Sequence, residues 1–139
     1  MGKGLFSAKS IQNQLFWSTF MSVLAVVSYA QEVINTNTHR LEQVADGVYF
    51  ATGTGDIYTM SNALIIERDE DIVIVDSHIT PAAGRALLDS IRIVSDKPVT
   101  TMINSHFHYD HSNGTPAFGE DLEIIGHQVT YDKLTGDPE

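Results

Sequence analysis

Residues 104–114 carry most of the side chains in this sequence that could do chemistry. They read Asn-Ser-His-Phe-His-Tyr-Asp-His-Ser-Asn-Gly. Three of the chain's six histidines, His106, His108 and His111, therefore stand within six positions, with Asp110 between the last two. Imidazole and carboxylate are the ligands that Zn²⁺ takes when no thiolate is available, and the chain has no cysteine. In an extended segment alternate side chains share one side. His106, His108 and Asp110 can then converge, while His111, the next residue, faces elsewhere. That arrangement suits two adjacent ions better than one: His106 and His108 would hold the first, Asp110 and His111 the second. Small Ser112 and Gly114 leave room around them. The alternative is a run of solvated surface histidines, which the tight HxHxDH spacing at a strand end disfavours.

Such a loop needs a strand to deliver it and a frame around that strand. Pro98 precedes a predicted strand at 99–104, which ends where the histidines begin. Residues 72–75 (IVIV) are an all-apolar run ending at Asp76, the pattern of a strand covered on both faces. Between these two, Pro81 can open a helix. Residues 82–94 place Ala83, Ala86, Leu87, Ile91 and Val94 near helical spacing, with one small polar interruption at Ser90. Upstream, 41–52 predicts two short strands about the Asp46-Gly47 turn. Gly53, Gly55 and Asp56 form a second turn, 61–67 a strand and 69–71 an acidic turn. Downstream, 122–126 predicts a strand and 127–134 a helix. The order is that of an α/β (α+β) chain: antiparallel strands, then strand–helix–strand, then strand–helix, without internal repeat or low-complexity tract.

Composition narrows the function classes. With 42% hydrophobic and 19% charged residues the 139-residue chain is an ordinary globular sequence, which excludes a mostly disordered, collagen-like or coiled-coil protein. A net charge of −10 argues against nucleic acid as a partner. The absence of cysteine excludes disulfide scaffolds, thiolate metal sites and cysteine nucleophiles. Residues 1–30 combine a start whose only charges are Lys3 and Lys9, an apolar run at 15–27 and small residues at Ser28 and Ala30. These are the three parts of a secretory signal peptide cleaved near Ala30. The run is short and rich in Ser and Thr for a membrane anchor, which needs about 20 apolar residues; a retained anchor and a disordered extension are the alternatives. The expected product is an exported protein, periplasmic or secreted, without a stable membrane anchor. Residues 31–40 are expected to be a linker.

The His106-Phe107-His108-Tyr109-Asp110-His111 segment resembles the metal signature of the metallo-β-lactamase superfamily, the binuclear metallohydrolases. The resemblance extends back to 72–76, similar to the family's strand ending in a buried aspartate, and forward through Gly114 to 124–127. It implies the first half of an αββα sandwich, in a domain covering 41–139 that is C-terminally incomplete. Asp76 would be the structural aspartate behind the metal site, and His106, His108, Asp110 and His111 the metal ligands. The resemblance further implies two zinc ions per complete domain and a bridging hydroxide attacking an ester, amide, thioester or sulfate-type bond of a small-molecule substrate. Asp110 would be the catalytic residue that also orients this nucleophile. Family members complete each ion's coordination with a further His, a bridging Asp and a final His from the second half of the domain, whereas only His127 follows the signature here. Two ligands per ion hold a metal weakly, so a catalytically inactive metal-binding fragment is the alternative to an active hydrolase. A half sandwich would also leave one sheet face uncovered. Of the remaining histidines, His39 is expected to be solvated and His127 to cap or pack a helix. His78 stands where many members have glycine; it is expected in a loop, with a hydrogen bond near Asp76 as the alternative.

Overall fold

Nothing but Ile and Val occupies residues 72–75, and the computed structural model, which describes residues 32–136, makes them an interior strand of one sheet. The expected signal segment lies outside the described residues. In chain order the strands are β1 (Val33–Asn35), β2 (His39–Ala45), β3 (Val48–Gly53), β4 (Ala63–Glu67), β5 (Ile72–Val75), β6 (Val99–Asn104) and β7 (Glu123–Gly126), and they lie side by side in that order. Strands β1 to β5 pair antiparallel, and β6 and β7 are added parallel. A parallel neighbour requires a crossover. Helix α1 (Pro81–Val94) supplies it between β5 and β6. Helix α2 (Tyr109–Ser112) and a 3-10 turn (Thr115–Phe118) follow β6, and α3 (Gln128–Thr135) follows β7. This is the mixed α/β order expected from the sequence. Strand β1 falls within residues 31–40, the expected linker, and pairs with β2.

Two local choices set the frame. The Asp46-Gly47 turn closes the β2–β3 hairpin with Gly47 at φ 66°, a left-handed conformation that glycine adopts without steric cost. Thr80 caps α1: its hydroxyl accepts from the Ala83 amide at 3.1 Å, and Pro81 follows at the first helical position. The buried face of α1 is Ala83, Gly84, Leu87, Ser90 and Ile91. Leu87 and Ile91 pack with Leu41, Tyr49, Ala51, Ile65, Ile74 and Met102, the inward residues of the strands, into the core. Neighbours pointing the opposite way, Val48, Phe50, Leu64, Ile66, Val75 and Ile103, are half-buried. Among the described residues, no helix is long and apolar enough to cross a membrane.

Candidate metal centre

The carboxyl ends of β5 and β6 lie together, because the amide of Asp76 donates to the carbonyl of Ile103 at 3.0 Å. This end of adjacent parallel strands is where α/β sheets place their ligand sites. The polypeptide leaving β5 is strained: Asp76 has φ 63° and His78 has φ 70°. Neither is glycine, and left-handed backbone at such residues costs of order 1 kcal/mol each. His78 thus keeps the left-handed conformation that glycine would allow at that position. Both residues are buried, as is Ser77 between them.

What offsets the strain is a set of bonds to the segment after β6. The Asp76 carboxylate accepts from the Ser105 amide at 2.9 Å, from the Ser105 hydroxyl at 2.7 Å and from His111 Nδ1 at 2.7 Å. The Ser77 amide and hydroxyl both donate to the His111 carbonyl, at 2.8 and 3.1 Å. The Gly114 amide donates to the His78 carbonyl at 2.9 Å. A Cβ on Gly114 would stand 1.7 Å from the Ser77 carbonyl oxygen, so that residue must be glycine for the two backbones to touch. Gly114 therefore makes room for main chain, and not, as the sequence suggested, for ions. A Cβ on Gly84 would likewise meet the Gly114 carbonyl oxygen at 2.4 Å, which explains a glycine on the buried face of α1.

The four candidate ligands come together, but not by alternation. The strand ends at Asn104, residues 105–107 bend, and Tyr109–Ser112 close into a helical turn with His108 at its N-cap. The turn carries His111 back over His106, with ring centroids 4.1 Å apart. The expectation that His111 faces elsewhere is thus corrected: it rested on an extended chain, and the chain bends after Asn104 and closes into a helical turn at Tyr109. His106 also meets His108, with ring centroids 4.7 Å apart. Asp110 joins through His111, its Oδ2 lying 3.3 Å from His111 Nε2. Because His111 Nδ1 is engaged by Asp76, Nε2 is the ring nitrogen left for a ligand, the tautomer control usual in metal centres. His106 Nδ1 is similarly engaged by the Ser105 hydroxyl at 3.0 Å. Asp76 thus occupies the place behind the cluster that the resemblance implied.

Among the described residues, no group of three or more His, Asp or Glu side chains is arranged to hold one metal ion. Imidazole and carboxylate, the donor types gathered here, are ones that zinc takes.

The remaining histidines divide. His127 caps α3, its Nδ1 accepting from the Val129 amide at 3.2 Å, as expected. His39 is not solvated; it opens β2 and is fully buried. Its Nε2 lies 3.1 Å from His78 Nε2, and its Nδ1 reaches the Ser90 hydroxyl at 3.1 Å. His78 lies in the loop after β5, as expected, but its ring is buried and bonds to His39 and Ser61 rather than to Asp76. One signal was present in the sequence: Ser90, the polar interruption on the apolar face of α1, is 2% exposed and serves this pair. Nothing in the sequence pointed to Ser61, whose hydroxyl donates to the Asp110 carbonyl at 2.5 Å across 49 positions.

Comparison with known proteins bears on the family and the fold. The profile described as metallo-beta-lactamase superfamily matches residues 57–127, just over half of the chain. A linear primary-alkylsulfatase of Pseudomonas sp. is 35% identical over 65 residues, 47% of this chain and 12% of that protein. An alkyl/aryl-sulfatase of Saccharomyces cerevisiae is 30% identical over 92 residues, 66% of this chain and 14% of that protein. A solved metallo-β-lactamase from Erythrobacter litoralis superimposes with a TM-score of 0.62 at 22% identity, over 76% of this chain and 48% of that one. The stereoselective inverting sec-alkylsulfatase Pisa1 from Pseudomonas sp. does so with a TM-score of 0.57 at 22% identity, over 68% and 16%. At these identities the structural likeness shows the fold. The chain spans about an eighth of the length of the curated sulfatases it matches and about half of the lactamase.

Proposed function

The chain belongs to the metallo-β-lactamase superfamily, and from that premise we propose that it is an exported, zinc-dependent hydrolase of a small-molecule substrate. His106 and His108 would hold one ion, and Asp110 with His111 the other. When bound, zinc lowers the pKa of its water to about 7 and polarises the oxygen that gains charge during hydrolysis. The chain's own contribution is orientation. Asp76 keeps the proton on His111 Nδ1 and leaves Nε2 outward, and Ser105 engages His106 Nδ1. Asp110 serves as ligand and as the acceptor that orients the attacking water.

The observation that carries the reading is the Asp76–His111 bond of 2.7 Å with Asp110 Oδ2 beside the opposite ring nitrogen. A sulfate ester is the bond to test first, since two sulfatases are among the relatives at 30% identity or more. Zinc uptake by calorimetry and sulfate release from hexyl sulfate test the two halves of the proposal. Saturable uptake, weakened in His108→Ala, together with chelator-sensitive sulfate release, is the expected result. Undiminished uptake by His108→Ala rejects the ligand assignment. Uptake without hydrolysis of any of the four bond classes replaces a hydrolase with a metal-binding domain. Export is checked by N-terminal sequencing of protein recovered outside the cytoplasm, with Gln31 expected first.

A further inference from the structure

A row of side chains, buried from His39 onward, joins the start of β2 to the turn that carries Asp110. Thr38 Oγ1 lies 3.0 Å from His39 Nδ1, the two histidines meet Nε2 to Nε2 at 3.1 Å, and His78 Nδ1 lies 3.2 Å from Ser61 Oγ. Ser61 Oγ then reaches the Asp110 carbonyl at 2.5 Å. The two rings stack, with centroids 5.1 Å apart and planes 21° apart. His39 and His78 are fully buried, and Ser61 is buried beside them.

The direction of every bond in this row follows from its last member. A carbonyl oxygen can only accept, so the single hydroxyl proton of Ser61 goes to Asp110. Ser61 Oγ must then accept from His78, which places the His78 proton on Nδ1 and leaves its Nε2 bare. His39 must therefore donate from Nε2, and a neutral His39 has an unprotonated Nδ1. That atom accepts from Thr38 Oγ1, because the Ser90 hydroxyl donates to the Ala86 carbonyl at 2.9 Å. Both rings are neutral in this order. Burial agrees with that: it lowers the pKa of His39, and burial followed by the neighbouring His39 brings His78 down to about 4.

Asp110 is the point where such a row has a purpose. It lies in a helix of four residues, whose last carbonyls have no partner along the helix. Ser61 supplies one, from the connection after β3, where its neighbour Met60 stands at φ 61°. We propose that Thr38, His39, His78 and Ser61 form a one-directional hydrogen-bond relay that positions the Asp110 turn. The value of that positioning for metal binding rests on the reading above, whereas the proton order does not. His39, His78 and Ser61 are positioning residues; none of them is assigned contact with substrate or metal.

Long-range ¹H–¹⁵N NMR of the unaltered chain at neutral pH reads the tautomers directly. The relay requires the proton of His39 on Nε2 and that of His78 on Nδ1. The reverse order, or an imidazolium at either position, overturns it without any variant having to fold. Positioning is tested with Ser61→Ala by amide hydrogen exchange. The His111 and Asn113 amides, which close the Asp110 turn, should exchange about tenfold faster, while those of the β3–β4 ladder keep their protection. Unchanged exchange at His111 and Asn113 overturns the positioning role. Exchange raised equally in the ladder overturns it as well, since a general loss of stability would then explain both. Zinc affinity about tenfold weaker in Ser61→Ala is expected where the unaltered chain binds zinc. A chain with the required tautomers and exchange pattern that takes up no zinc sinks the metal reading and leaves the relay standing.

Discussion

Asp76 shows how much one residue can organise: from a strained backbone it accepts three hydrogen bonds, two from Ser105 and one from His111. The four candidate ligands were legible because their spacing is local, six consecutive positions with a recognisable pattern. Their surroundings were not, because the partners are remote in sequence: His39 and Ser90 are 51 positions apart, and Ser61 and Asp110 are 49 apart. A polar residue read alone looks solvated until its distant partner is known. Gly114 is the sharpest case, since its identity was read as space for ions and its cause is the Ser77 carbonyl. Gly114→Ala should cost about 3 kcal/mol or more, because the added carbon meets backbone that cannot rotate away. For a domain of this size that lowers the thermal midpoint by about 10 °C or more, measured by circular dichroism. A midpoint shift of a degree or two would mean that the two backbones separate easily.

At the scale of elements, the periodic ones were read well. Strands β5 and β6 have the predicted bounds, and α1 opens at Pro81 and ends at Val94, as predicted. A run of Ile and Val in β5, a proline opening α1 and another before β6, and a helical spacing of apolar residues are strong local signals. The missed elements lack such signals. Strand β1 has three residues and exists by pairing with β2, while α2 and the 3-10 turn have four each, too few for a period. Of these, α2 is what brings His111 back over His106, so the geometry of the cluster escaped a reading based on alternation. Helix α1 offers a test of its own. Thr80→Ala removes the hydroxyl that accepts from the Ala83 amide and should cost about 1 kcal/mol, read from the urea midpoint at unchanged slope. Thr80→Ser should retain most of that stability, as it keeps the acceptor.

For the molecule as a whole, the buried histidine pair makes stability depend on pH. His78 titrates near 6.5 when unfolded and near 4 when folded, because burial and the adjacent His39 disfavour its charge, with Asp76 acting in the opposite sense. Between those values the unfolded chain binds more protons than the folded one, so stability rises with pH across this window and levels off above about 6.5. The contribution is about 3 kcal/mol for His78, and the lowered pKa of His39 adds in the same direction. Unfolding midpoints measured from pH 4 to 8 on metal-free protein should show this rise; a flat profile would place both rings in contact with water. Asp76 reaches His111 across 35 positions, from one parallel strand to the segment beyond the next. An excised peptide of residues 104–114 would own every donor atom and lack the carboxylate that aims one of them. On the proposed zinc reading, affinity would be a property of the completed β5–α1–β6 crossover, and the bound ion would act as a gauge of how much of the population has folded.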